Sequence, residues 1–175
     1  MGQELMTDTR LSLAGKDKNL KNDEWYTNEA TVKLMFDLLD IKNGLTIMMP
    51  FDTEASNFVK HAYNLNANVK YDVTDWLTHD YEYDCLITNP PFSIKDDVIE
   101  RCLASGKPSV IVLPIDSLGG VRRHGLYKKY SYPTVYIPTK RINYISQDGQ
   151  ATRANYFHSI ILYLNDPQGS RMLWE

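Results

Sequence analysis

The sequence predicts an open, doubly wound α/β domain whose sheet is mostly parallel and carries an antiparallel edge strand. Three observations predict it. Short apolar runs alternate with segments of helical period, and each run stops at turn-forming residues. The runs are continuous rather than alternating, as expected for strands covered on both faces. The last two runs have no segment of helical period between them, so they are expected to pair antiparallel.

The elements follow in order. Thr27 is placed to cap a helix in which Ala30, Leu34, Leu38 and Ile41 share a face up to the Asn43-Gly44 stop. Leu45 to Met49 reads as a buried strand bounded by Gly44 and Pro50. Glu54 to Leu65 reads as a helix with Phe58, Ala62 and Leu65 on one side. Strands are expected at Asn68 to Val73 and Asp84 to Thr88, then a helix over Asp96 to Ser105 ending at Gly106. Ser109 to Leu113, Thr134 to Ile137 and Phe157 to Leu164 complete the strands, with a basic, glycine-containing loop between the first two. Residues 1–24 are polar and mixed in charge and are expected to form a loose lead; 25–168 form the domain and 169–175 a tail.

The 175 residues suit one domain, 43% of them hydrophobic and 23% charged, with a net charge of −3. That balance excludes a polybasic coat and an acidic disordered chain. No apolar run approaches the ~20 residues of a membrane helix, and no secretory leader is read at the N-terminus. Cys85 and Cys102 lie within apolar patterns and read as buried free thiols in a reducing compartment. The four histidines share no metal spacing with cysteines or carboxylates, so no metal site is expected. Phosphate-loop and nucleophile-elbow motifs are absent from the sequence, which removes nucleotide triphosphatase and esterase readings.

In open sheets of this kind, ligands bind beyond the carboxyl ends of the strands. Three such ends carry unusual polar residues: Pro50-Phe51-Asp52-Thr53-Glu54 through Phe58, Asp72-Val73-Thr74-Asp75-Trp76, and Asn89-Pro90-Pro91-Phe92. The third is the most specific. Two prolines stiffen the backbone and remove two N–H donors, Asn89 adds an amide, and Phe92 follows as a flat ring. Acceptors beside a stacking surface suit a planar group bearing an exocyclic amine. A rigid Asn-Pro turn is the structural alternative.

The run Asp84 to Phe92 resembles the catalytic strand and loop of amino-group methyltransferases that use S-adenosylmethionine. It is most similar to that of the N6-adenine DNA methyltransferases of small phage and prophage type. Trp25-Tyr26-Thr27, the Pro50 turn, Gly106-Lys107-Pro108, Leu113-Pro114 and Lys140-Arg141-Ile142-Asn143 extend the resemblance over about Trp25 to Leu164. It implies a single-domain Rossmann-like methyltransferase fold, S-adenosylmethionine as cofactor and a nucleic-acid partner, DNA before RNA. It also implies a cytoplasmic setting in a bacterial or phage-infected cell.

Residue by residue, the resemblance implies that Asn89 and the Pro90 carbonyl accept hydrogen bonds from the target amine, within the loop completed by Pro91. The nitrogen lone pair is then free to attack the sulfonium methyl, so positioning and desolvation carry catalysis. Phe92 would stack on an extruded base. Tyr26 and Thr27 would lie beside the methionine part of the cofactor, with Pro50, Phe51, Asp52 and Thr53 in the turn below. Asp52 is the candidate for the methionine amino group, while Thr53 and Ser56 supply hydroxyls or cap the following helix. Asp72 is the candidate for the ribose hydroxyls, and Asp75-Trp76 for the adenine; the alternative for that pair is a turn cap and a core ring. The stretch from Val73 to Tyr83 is short enough that one strand of the usual fold is expected to be missing or reduced.

Most methyltransferases of this fold have a glycine-rich turn after the first strand, and here that turn has none. Over 116–144, six basic residues, Arg122, Arg123, Lys128, Lys129, Lys140 and Arg141, stand against Asp116 alone. Tyr127, Tyr130, Tyr132 and Tyr144 interleave with them, a pattern that suits phosphates and bases. Resemblance places Lys140 to Tyr144, including Asn143, along the target-base pocket. No separate recognition domain is expected within these 175 residues, so target choice is expected to fall to loops, a partner protein or a second subunit. The remaining readings are methylation of RNA adenine or of a protein glutamine amide, and an inactive methyltransferase-like binding protein.

Overall fold

The computed structural model describes residues 26–42, 44–145 and 158–175. The expected lead over 1–24, Trp25, Asn43 and Phe157 lie outside these residues, as does the side chain of Tyr26. In chain order the elements are β1 (Tyr26–Thr27), α1 (Glu29–Leu39), β2 (Thr46–Met49), α2 (Asn57–Asn64), β3 (Asn68–Tyr71), β4 (Cys85–Thr88), α3 (Lys95–Ser105) and β5 (Ser109–Pro114). They continue with α4 (Val121–Lys129), β6 (Thr134–Ile137), β7 (Tyr144–Ile145), β8 (Ser159–Leu164) and β9 (Met172–Trp174). Short 3-10 turns follow β4 and β5 at Phe92–Ile94 and Ile115–Leu118.

Seven strands form one sheet in the order β3-β2-β4-β5-β8-β6-β9, and β1 pairs with β7 in a separate ribbon. β3, β2, β4 and β5 run parallel. β8 is antiparallel to both β5 and β6, and β9 is parallel to β6. The sheet is therefore mixed and doubly wound, as expected, but the antiparallel strand is internal rather than at the edge. Its composition suits this: Ser159–Leu164 is buried throughout, as expected for a strand flanked by β5 and β6 and covered on both faces. The margin belongs to β9, built from residues expected to be a tail. Among the described residues no strand lies between β3 and β4, in keeping with the short Val73 to Tyr83 connection.

Apolar side chains from β2, β4, β5 and β8 point alternately into two core layers. One packs Val32, Met35 and Phe36 of α1 with Phe58, Val59 and Ala62 of α2. The other packs Val98, Ile99, Cys102 and Leu103 of α3 with Leu126 and Tyr127 of α4. Both cysteines are free and buried, and burial pushes each thiol up to about 12.

The helix starts are shifted slightly from expectation. Asn28, not Thr27, caps α1, its Oδ1 accepting the Thr31 N–H at 3.0 Å. Ser56 caps α2 through the Val59 N–H at 3.3 Å. Helix α4 lies in the stretch expected to be a basic loop. Its sequence has a narrow apolar side and Gly125 in the middle, so its support comes from α3. Among the described residues, no helix is long and apolar enough to cross a membrane.

Candidate functional site

The carboxyl ends of β2, β3 and β4 lie together at one edge of the sheet. β8 runs the opposite way, so its first residue, Ser159, opposes Pro114 at the end of β5 on this same edge. After β2 the chain turns at once, the Asp52 N–H donating to the Met49 carbonyl at 3.1 Å. Among the described residues no positive φ occurs between Pro50 and Glu54, so this turn needs no glycine. The positive φ falls instead on Asp72, at +53°, just past β3; aspartate tolerates this region better than most residues. The Asp72 N–H donates to the Asp52 carbonyl at 2.9 Å and the Val73 N–H to the Pro50 carbonyl at 3.1 Å. These two bonds fasten the first two strand ends to each other.

Asp52 is the electrostatic centre of this edge. It is buried, and its Oδ2 accepts from Thr88 Oγ1 at 2.7 Å. Burial raises its pKa from 3.8 to about 7, while hydrogen bonds from Thr88 and Ser56 pull it back down. Among the described residues, no lysine, arginine or histidine forms an ion pair with it. Among the described residues its side-chain partners are hydroxyls, and a carboxyl so placed can take up a cation's charge once it is ionised. Thr88 immediately precedes Asn89, whose Oδ1 is itself buried. The Asp52 carboxyl and the Asn89 amide are thus carried by neighbouring strands and linked through Thr88.

The ribbon β1–β7 brings two distant segments to this place. Thr27 opposes Tyr144 across it, and Asn28 Nδ2 donates to the Asn143 carbonyl at 2.8 Å. Asn57 Nδ2, in the first turn of α2, donates to the Thr27 carbonyl at 2.9 Å. Thr27 Oγ1 is buried and has no hydrogen-bond partner among the described residues. Tyr144 is also buried, its hydroxyl donating to Ser159 Oγ at 2.7 Å and burial raising its pKa to about 12. Its ring meets half-buried Phe92 edge-on, with centroids 6.3 Å apart and planes at 74°. Tyr144 therefore braces Phe92 from behind and is not a second open stacking face.

The structure thus gathers Thr27, Asp52, Asp72, Asn89, Phe92, Asn143 and Tyr144, which are spread over the whole chain. Other expected residues take different parts. Trp76 is wholly buried in the core, where Phe51 meets it edge-on at 6.0 Å. A ring closed off in this way cannot stack on a ligand, so the adenine role is corrected. Asp75 shapes a turn: its carbonyl accepts the N–H groups of Thr78 and His79, and its carboxylate accepts the Tyr81 hydroxyl. Thr53 is exposed and its carbonyl accepts the Ser56 N–H.

Two of the basic residues are likewise corrected. Arg122 pairs with Asp97 and Glu100 of α3 at 2.7 and 2.8 Å. Arg123 pairs with Asp96 at 2.6 Å and donates to the carbonyls of Gly119 and Asp116. Both fasten α4 to α3, so their charge is already matched. Gly120, with φ +97°, packs against that guanidinium: a Cβ there would come within 3.0 Å of it. Tyr127 is buried, its hydroxyl on the Ser117 carbonyl. Lys128, Lys140, Arg141, Tyr130 and Tyr132 remain exposed.

Sequence reasoning did not single out Thr88, Asn28, Asn57 or Ser159. Thr88 had a legible signal, a hydroxyl ending an otherwise apolar strand just before Asn89. The others act through contacts far apart in the chain, which no local pattern displays. A cavity of about 340 Å³ at the opposite end of the strands, lined by Leu38, Asp40, Lys42, Tyr163 and Arg171 among others, takes no part in this edge.

The fold is similar to that of a modification subunit assigned to a type I restriction enzyme from Vibrio vulnificus YJ016. The TM-score is 0.63 at 12% identity, covering 94% of this chain and 49% of the other, so the chain spans about half the length of that subunit. A protein described as an RNA methyltransferase from Pyrococcus horikoshii gives a TM-score of 0.49 at 12% identity, over 90% of this chain and 97% of that one. No family model and no curated protein matches the chain. At this identity, the first likeness establishes a shared fold.

Proposed function

We propose that the chain transfers a methyl group from S-adenosylmethionine to the exocyclic N6 amine of adenine in DNA. One observation carries the reading: a buried carboxyl with no ion-pair partner among the described residues, Asp52, is tied through Thr88 to the buried amide oxygen of Asn89, with the Phe92 ring three residues on. The residues present fit the cofactor. Asp52 is the partner for its ammonium, the Thr27 hydroxyl and Asn57 lie together for its carboxylate, and Asp72 stands exposed past β3 for ribose hydroxyls. When bound, S-adenosylmethionine supplies a methyl carbon made electrophilic by its sulfonium.

The chain's own residues supply position. Asn89 Oδ1 and the Pro90 carbonyl accept the two amine hydrogens, which orients the nitrogen lone pair away from both. In a buried place these bonds are stronger than in water and need no reorganisation. Pro90 and Pro91 bring no N–H to compete for the acceptors. Phe92, held edge-on by Tyr144, offers a face to the extruded base. The exposed lysines and tyrosines at 128–140 favour a nucleic acid over a protein amide.

Transfer of tritiated methyl to duplex DNA, single-stranded DNA, tRNA and a protein mixture tests this. Label in DNA adenine is expected, and Asn89→Ala should abolish it while changing affinity for the demethylated cofactor by less than about threefold. Label only in tRNA or only in protein refutes the DNA reading. Failure of the folded protein to bind the cofactor or its demethylated product refutes the enzyme reading altogether.

A further inference from the structure

We propose that the free edge of β9 pairs antiparallel with β9 of a second copy of this chain, joining two sheets about a two-fold axis at Leu173. Among the described residues, β9 has β6 on one side and no strand on the other. The Val135 N–H donates to the Arg171 carbonyl at 2.8 Å, and Val135 lies opposite Met172 in the ladder. In a parallel ladder, alternate residues turn their N–H and C=O to the same neighbour. Arg171 and Leu173 therefore serve β6, and the backbone groups of Met172 and Trp174 face outward.

Those outward groups define a self-complementary edge. An antiparallel copy centred on Leu173 sets Met172 of one chain against Trp174 of the other, twice, each pair exchanging two backbone hydrogen bonds. The same register sets Arg171 against Glu175, again twice. The five residues read basic, apolar, apolar, apolar, acidic, so opposite charges meet when the strand is turned end for end. A parallel in-register copy would set Arg171 against Arg171. This matching of a surface to itself is what a two-fold contact requires.

The side chains suit the pairing. Trp174 and Met172 are 69% and 52% exposed on one face of the strand, where a sulfur–aromatic contact with the other copy would cover both. Edge strands that stay single tend to carry lysine or proline, and this one carries neither. Leu173 packs into the core and holds the strand in place. Arg171 is steadied by Asp166 at 2.9 Å and Glu175 by the Thr139 N–H at 3.0 Å, yet both remain exposed.

Sedimentation velocity over a range of protein concentrations tests the proposal without reference to methyl transfer. The wild-type chain should sediment at twice the monomer mass. Glu175→Arg alone should raise the dissociation constant by about tenfold, since two cross-strand pairs turn from attraction to repulsion. Arg171→Glu alone should do the same, and the double exchange should restore wild-type association. Trp174→Lys should abolish it. Glu175→Arg leaves the Arg171–Asp166 pair intact and gives up only the exposed Thr139 N–H contact, and a circular-dichroism melt checks that the variant stays folded. A wild-type monomer at every concentration overturns the proposal, as does a dimer that Trp174→Lys and Glu175→Arg leave unchanged. A folded double exchange that stays monomeric also overturns it.

Discussion

Replacing Asp52 by Asn separates what the carboxyl costs the empty protein from what it contributes to the ligand. In the unfolded chain this carboxyl titrates near 3.8, and in the fold near 7 because it is buried. Between those values the folded state keeps a proton that the unfolded state releases. Stability therefore falls as pH rises from about 4 to 7 and levels off above that. The span is about 3 pH units at about 1.4 kcal/mol each, which sets an upper limit of about 4 kcal/mol on the destabilisation at pH 8. Asp52→Asn should recover a large part of it at pH 8 and no more than about 1 kcal/mol at pH 4.5, read by urea denaturation. Ligand binding should change in the opposite sense. An ammonium needs the ionised carboxylate, so wild-type affinity for S-adenosylhomocysteine should tighten as pH rises through 7. Asp52→Asn should weaken it by about 100-fold or more, the cost of leaving one charge of a buried pair alone. Binding of 5′-methylthioadenosine, which lacks the amino-acid part, should be unaffected. Calorimetry that finds equal affinity in both proteins, or no stability difference between the two pH values, refutes the assignment.

Two further outcomes test the corrections made to the sequence reading. Trp76→Ala should cost about 3–5 kcal/mol of stability as a core deletion. Trp76→Phe, if the ring is structural, should keep affinity for S-adenosylhomocysteine within about twofold; a loss as large as that of Asp52→Asn would return the ring to the cofactor site. Lys128→Ala should lower the slope of log affinity against log salt for DNA by about 1. Arg122→Ala should leave that slope unchanged and shift stability by less than about 1 kcal/mol, because its pairs with Asp97 and Glu100 are exposed. Equal slope changes for the two variants would show that Arg122 leaves α3 to meet phosphate.

Much of the fold was legible from local pattern. The parallel strands and their helices are set by apolar runs and caps within a few residues of one another, and the rigid Asn89 loop is set by two adjacent prolines. Helix α4 was not legible, since Val121–Lys129 has little apolar periodicity and is held by ion pairs to residues 22–27 positions earlier. The same pairs take Arg122 and Arg123 out of the basic surface that composition alone describes. Trp76 shows the converse case: an acidic-aromatic dipeptide after a strand reads as a ligand site, yet burial of so large a ring against Phe51 and its neighbours wins.

By itself the amino-acid order determined which segments are strands and helices and which chemical groups stand at the strand ends, because hydrophobic period, caps and prolines act over one or two turns of chain. Only the tertiary structure decided that β8 enters the sheet interior, that residues 172–174 form its margin, and that Asp52 is buried beside Thr88 with no ion-pair partner among the described residues. Those outcomes depend on which surfaces lose water together, and that is a property of the packed molecule rather than of any stretch of its sequence.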